Sequence, residues 1–230
     1  MDTDLLQQLN VERQARRAAI LITDLENGGG RLLREGEPAG GGLEEAAERA
    51  FRSGKSTIVE ADGRSLFLNV HVPPARLVVV GAVHISQALA PMAAIAGFDM
   101  TVIDPRTAFA TEERFGSVEL LAEWPDEALE RAPLDAYTAL AAVTHDPKID
   151  DFPLKSALES GCFYVGALGS RKTHAKRVER LKALGLEEAQ IDRIASPIGL
   201  DIGASSPAEI AVAILAEVIA ALRKRQVAAS

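Results

Sequence analysis

Short apolar runs and longer amphipathic stretches alternate through the last two thirds of the chain. Runs at 77–81, 100–104, 138–144 and 163–167, with a shorter one at 117–121, have the length and apolar density of buried strands. Helical periodicity predicts helices at 86–96, 125–131, 151–160, 171–184, 187–194 and 207–224. The last of these opens with a full start signal: Ser206 as N-cap, Pro207 in the first helical position and Glu209 closing a capping box. Ile210, Ile214, Val218 and Leu222 then fall on one face, as a core-facing stripe requires. Strands alternating with helices imply the α/β class, a Rossmann-like parallel sheet with helices on both faces.

The pattern differs before Pro73-Pro74. A strand is expected at 18–23, a glycine-rich loop through 28–30 and 40–42, a helix at 43–52, and alternating strands at 56–60 and 65–70. This divides the chain into a small N-terminal α+β domain, 1–74, and a Rossmann-like domain, 75–230. So few core positions predict that the small domain packs on the large one or on a second protomer in a homodimer.

Composition narrows the function. With 230 residues, 47% of them hydrophobic, the chain can bury one substantial core and a lesser one. A net charge of −8 argues against nucleic acid as partner, since phosphate neutralisation needs an extended basic surface. No uninterrupted apolar stretch is long enough to span a membrane, and the N-terminus lacks signal-peptide character, so the expectation is cytoplasmic. Cys162 is the single cysteine, which excludes an internal disulfide and is read as a small buried filler at the sheet end opposite the ligand rim.

One segment is locally basic. Gly166 and Gly169 bracket a turn after a strand, and Ser170 opens a helix carrying Arg171, Lys172, His174, Lys176 and Arg177 in its first turns. A first helical turn ordinarily favours acids, so bases there point to an anionic ligand, with backbone N–H groups and dipole adding to the cations. A second strand end has the same layout. The run 78–80 breaks at Gly81, a helical stretch follows, and the next strand ends in Asp104, 23 residues on, close to the roughly 20 expected for a ribose-binding acid. The dinucleotide glycines are absent, however: Val83 and Ser86 stand in their places, which weakens the NAD(P) reading but not the fold.

Ligands of such sheets bind beyond the carboxyl ends of the strands. There the sequence gathers His84, Asp104, Arg106, Thr144, His145, Asp146, Ser170, Arg171 and His174, with three of the four histidines on one rim. No H-x-E or H-E-x-x-H spacing supports a protein-held metal, and no G-x-S-x-G elbow supports a nucleophile, so chemistry on the ligand is not demanded.

These residues carry a family resemblance. Through VVVGAVHISQALA, TVIDPRTAFATEERF, VTHDPKIDD, FYVGALGSRKTHAKRVERL and SPIGLDIGASSPAEIAVAILAEVIA the chain resembles the XdhC/CoxI family of xanthine dehydrogenase accessory factors, over about residues 76–220. The resemblance implies an accessory protein rather than an enzyme. Such a protein binds molybdenum cofactor as molybdopterin or its cytosine dinucleotide, works beside a cysteine desulfurase, and delivers the cofactor to an apo molybdenum hydroxylase such as xanthine dehydrogenase or carbon monoxide dehydrogenase. The cofactor-binding residues implied are Gly81, His84, Asp104, Arg106, His145, Asp146, Gly166, Gly169, Ser170, Arg171, Lys172 and His174. Two alternatives stay open: an NAD(P)-dependent oxidoreductase, for which Asp104 speaks, and a regulatory interaction module without a ligand. The family's N-terminal G-G-G-C-x-E segment reads Gly40-Gly41-Gly42-Leu43-Glu44 here, so the thiolate expected to handle sulfur or molybdenum is missing.

Overall fold

The computed structural model describes residues 3–225. Two compact units result, one of 3–73 with 223–225 and the other of 74–222. In the first unit, α1 (Thr3–Gln14) precedes β1 (Ala19–Asp24), β2 (Gly30–Arg34), α2 (Glu44–Ser53), β3 (Thr57–Ala61) and β4 (Arg64–His71). Its sheet is antiparallel, in the order β2-β1-β4-β3.

Helix α1 and strand β2 are additions to the sequence-based expectation, which left 3–14 without an element and read 28–42 as glycine-rich loop. The reason is visible in α1: TDLLQQLNVERQ buries only Leu9 and Glu12. Glu12 is tied at 2.6 Å to Arg17 and at 2.8 Å to Arg34 of β2, and this tertiary pairing of a buried carboxylate has no local signature.

The second unit runs β5 (Arg76–Val80), α3 (His84–Ile95), β6 (Asp99–Ile103), α4 (Glu112–Phe115), β7 (Glu119–Leu121), α5 (Pro125–Arg131), β8 (Thr138–Ala142), α6 (Pro147–Glu159), β9 (Tyr164–Ala167), α7 (Arg171–Ala183), α8 (Glu188–Ile191), β10 (Ile194–Ala195) and α9 (Pro207–Lys224). All six strands are parallel, in the order β10-β9-β8-β5-β6-β7. The sheet is doubly wound, and strand order reverses direction between β5 and β8.

Strand β5 shows how an unbroken apolar run feeds two cores. Leu77 and Val79 join a cluster with Leu89 and Ala93 of α3 and Ile214 and Val218 of α9. Val78 and Val80 join another with Leu129 of α5, Leu154 and Leu158 of α6 and Leu181 of α7. Helix α9 starts as its sequence requires: Glu209 accepts from the backbone N–H groups of Ser205 and Ser206 at 2.8 and 3.0 Å, and its own N–H reaches Ser206 Oγ. Those donors hold the Glu209 carboxyl down at about 2.

Several boundaries shift. The helix expected at 86–96 starts at His84, the one at 151–160 starts at Pro147, and the strand 138–144 ends at Ala142. The helix expected at 187–194 is a single turn, after which Ile194 and Ala195 pair with β9 as β10.

Gly166 is a correction of another kind. It lies inside β9, paired with Ala141 and Ala195, rather than at the lip of an anion-binding turn. A Cβ there would stand 2.5 Å from Tyr164 Oη and 2.7 Å from Ile198, so the position is bare to admit the 196–200 loop against the sheet. Gly166→Ala is expected to destabilise the protein by about 1–3 kcal/mol through overpacking, read as a lowered urea midpoint with an unchanged m-value. An unaltered midpoint would show that this contact is soft.

Candidate functional site

The carboxyl ends of the strands form two differently built places. At the end of β5 the turn is closed on itself. Gly81 N–H donates to Ile103 O at 2.8 Å, Ala82 N–H to Asp104 Oδ2 at 2.7 Å, and Val83 N–H to Ser86 Oγ at 2.9 Å. In a dinucleotide site such donors face phosphate; here the protein itself occupies them. Gly81 has φ +124, and a Cβ would stand 2.9 Å from Thr144, so this glycine serves close packing of β5 against the β8 end.

Asp104 has no exposed surface. Besides Ala82 N–H, its oxygens take the backbone N–H and the guanidinium of Arg106, at 2.7–2.9 Å. Burial raises the pKa of this carboxyl, but the Arg106 bonds and the two backbone donors outweigh it and leave the group below the usual carboxylate range. Asp104 is therefore a clamp between strand ends rather than a free acceptor for a ribose. His84, the first residue of α3, is exposed at the same rim.

Beyond the ends of β8 and β9 the structure opens into a cleft of about 280 Å³ lined by His145, Pro147, Asp150, Lys172, Thr173, Lys176, Arg177 and Arg180. Helix α7 supplies its cations. Ser170 caps that helix, accepting from Thr173 N–H at 3.2 Å, and the first turn carries no acid. Lys172, Lys176 and Arg180 recur at four-residue spacing, which puts them on one face. Lys172 and Lys176 are exposed and make no ion pair among the described residues, whereas Arg180 is held by both oxygens of Asp151 at 2.5 and 2.9 Å.

Arg177 is the unusual member. It is 2% exposed, donates to Leu168 O at 2.8 Å, and its buried Nε has no hydrogen-bond partner. Burial works against its charge, with Asp150 and Asp151 in partial compensation.

The opposite wall comes from the β8–α6 turn and the start of α6. His145 takes a left-handed conformation, φ 66, uncommon for a residue with a side chain. Asp146 caps α6, accepting from Lys148 N–H at 3.0 Å. Asp150, 2% exposed, accepts from Thr144 Oγ at 2.6 Å, and burial lifts its carboxyl to about 6.

Of the residues singled out in the sequence, His145 and Lys172 thus line the cleft together. Ser170 and Gly169 build its helix start, Asp146 orients α6, and Arg106 acts on Asp146 and Asp150 through its charge. Arg171 is exposed outside the lining, and His174 is half-buried with an unpartnered Nδ1, its pKa lowered by burial and then by Arg177. Lys176 and Arg177 were named with the basic helix start, though not as individual cofactor contacts, whereas Asp150, Thr173 and Arg180 were not named at all. The four-residue spacing of the cations and the Asp146-Pro147 helix start, which fixes where Asp150 points, were the signals available.

The architecture and these blocks have known counterparts. A family model described as the XdhC Rossmann domain matches residues 77–218. The chain belongs to the XdhC Rossmann-domain family. Similar members include an uncharacterized protein, YqeB, of Escherichia coli, 32% identical over 67% of this chain and 29% of that protein. A probable xanthine dehydrogenase subunit of Bacillus subtilis is 32% identical over 67% of this chain and 45% of its own length. The molybdenum cofactor insertion chaperone PaoD of Escherichia coli is 31% identical over 64% and 40%. The chain therefore spans less than half the length of these curated relatives. A crystal structure of a xanthine dehydrogenase from Bacillus halodurans superposes with TM-score 0.63 and 25% identity, covering 100% of this chain and 68% of that one.

A larger cavity, about 450 Å³, lies within the N-terminal unit, among Asp24, Arg31, Gly40, Gly41, Leu43 and Arg64. Leu43, 3% exposed, presents an apolar side chain in this glycine segment. Cys162 is wholly buried at the amino end of β9, the sheet end away from the cleft, and burial pushes its thiol up to about 12.

Folding raises the pKa of Asp150, so the folded protein holds this proton more tightly than the unfolded chain. Ionising the group costs stability as pH rises through about 6. Asp150→Asn is expected to gain on the native chain between about pH 4 and pH 7, by up to about 3 kcal/mol, in parallel urea titrations. A difference that stays flat across that range would contradict the burial argument.

Proposed function

We propose that the chain is an accessory protein that binds molybdenum cofactor, a phosphorylated pterin, and passes it to an apo molybdenum hydroxylase. One observation carries the reading: a cleft at the carboxyl end of a Rossmann sheet that combines the cationic start of α7 with a buried arginine whose Nε lacks a partner. A phosphate there would accept from the Ser170–Lys172 turn, from Lys172 and Lys176, and from Arg177. His145, with the Asp104-held Arg106 and His84 further round the rim, would face the pterin or metal-bearing head.

Membership of the XdhC family and a relative named as a molybdenum cofactor insertion chaperone support the choice of cargo. The occupied N–H groups at the Gly81 turn favour this reading over a nicotinamide dinucleotide. With Leu43 in the glycine segment and Cys162 inaccessible, this chain offers no thiol for sulfur transfer, and any sulfuration falls to a partner such as a cysteine desulfurase.

Anaerobic equilibrium binding of molybdopterin, with NADH titrated in parallel, tests the proposal. Micromolar or tighter binding of the pterin is expected, weakened about tenfold or more by the Lys172→Ala/Lys176→Ala double variant, in line with loss of charge-assisted hydrogen bonds. Arg171→Ala, outside the cleft lining, is expected to cost less. NADH binding without pterin binding would replace this function with a nicotinamide-dependent one, and binding of neither would leave a partner-binding role.

A further inference from the structure

A cleft built to attract anions gains nothing obvious from a carboxylate, yet Asp150 stands in its wall beside Lys172, Lys176 and Arg177. The carboxylate is 98% removed from solvent, with one oxygen on Thr144 Oγ. The other charges nearby have assigned partners: Arg180 holds Asp151, Asp146 caps α6, and Arg106 is gripped by Asp104. Arg177, equally buried, lines the same cleft as the helix start of α7, with an unsatisfied Nε.

Toward a fully ionised oxyanion such as sulfate, Asp150 in its ionised form, above about pH 6, adds repulsion that the low-dielectric cleft wall magnifies. Toward a phosphate that still carries a proton it becomes an acceptor, forming a short P–O–H to carboxylate hydrogen bond of the charge-assisted kind. A phosphate monoester loses its last proton at about pH 6, so the protonated form is available near neutrality. A phosphate esterified on both sides, as inside a dinucleotide, has no such proton.

We infer that the cleft selects a terminal phosphate monoester, using Asp150 as acceptor for its proton, over sulfate and over the internal phosphates of a dinucleotide. Resting on the phosphate-site reading above, this favours the monophosphate form of a pterin cofactor as the species held.

The purified full chain is titrated calorimetrically at about pH 7, above the value near 6 at which Asp150 loses its proton, and at constant ionic strength with inorganic phosphate, phenyl phosphate, methyl phenyl phosphate and sulfate. Phosphate and phenyl phosphate are expected to bind at least about tenfold more tightly than sulfate or the diester, the effect of one charge-assisted hydrogen bond. Asp150→Asn should weaken phosphate and strengthen sulfate, since an amide can donate to a proton-free oxyanion. Equal binding of all four by the native chain overturns the selectivity while leaving an anion cleft, and binding of none overturns the phosphate site itself. Selectivity that survives in Asp150→Asn removes Asp150 from the role. Should that variant not fold, the native monoester-to-diester ratio decides alone.

Discussion

The cleft depends on a guanidinium held inside the protein. Burying Arg177 costs several kcal/mol of lost hydration unless the charge is compensated, and the compensation organises its surroundings. Leu168 O accepts one nitrogen, which fixes the β9–α7 turn from beneath. Asp150 and Asp151 supply opposite charge from α6, and Asp151 also receives Arg180 from the next turn of α7. The two helices are thereby joined by the Arg180–Asp151 ion pair, and the buried Nε of Arg177 is left without a hydrogen-bond partner. Lys172 and Lys176 then stand over this base with no competing acid in the first turn.

The β5 end is built the other way. Both places follow a parallel strand and both lead into a helix, but Asp104 and Ser86 consume the N–H groups of the Gly81 turn. The layout of a nucleotide fold is retained while its phosphate donors are turned to internal use, and binding capacity lies further along the sheet, beyond β8 and β9. Fold and ligand separate here for a reason that can be pointed to atom by atom.

The doubly wound sheet was legible because its strands are apolar on both faces and its last helix carries a complete capping box. The core stripe of α9 was equally plain, with Ile214 and Val218 fully buried. What stayed hidden depends on distant partners. Helix α1 is held by Glu12 meeting Arg34 across 22 residues, and Gly166 is bare because Ile198 arrives 32 residues later. At the site, the basic start of α7 was evident, but its most consequential residue was not. Nothing in the string distinguishes buried Arg177 from exposed Arg171, and Asp150 becomes a cleft residue only once Asp146 and Pro147 begin α6 four residues earlier than periodicity suggests.

Everything proposed for this chain requires its anion site to lie on α7 and not at the Gly81 turn. A crystal structure of the protein with a bound phosphate ester decides between the two places. The phosphorus is expected between Lys172, Lys176 and the Nε of Arg177, within reach of Asp150. Phosphate density at the Gly81–Val83 turn, with the Ala82 N–H released from Asp104, would contradict that placement.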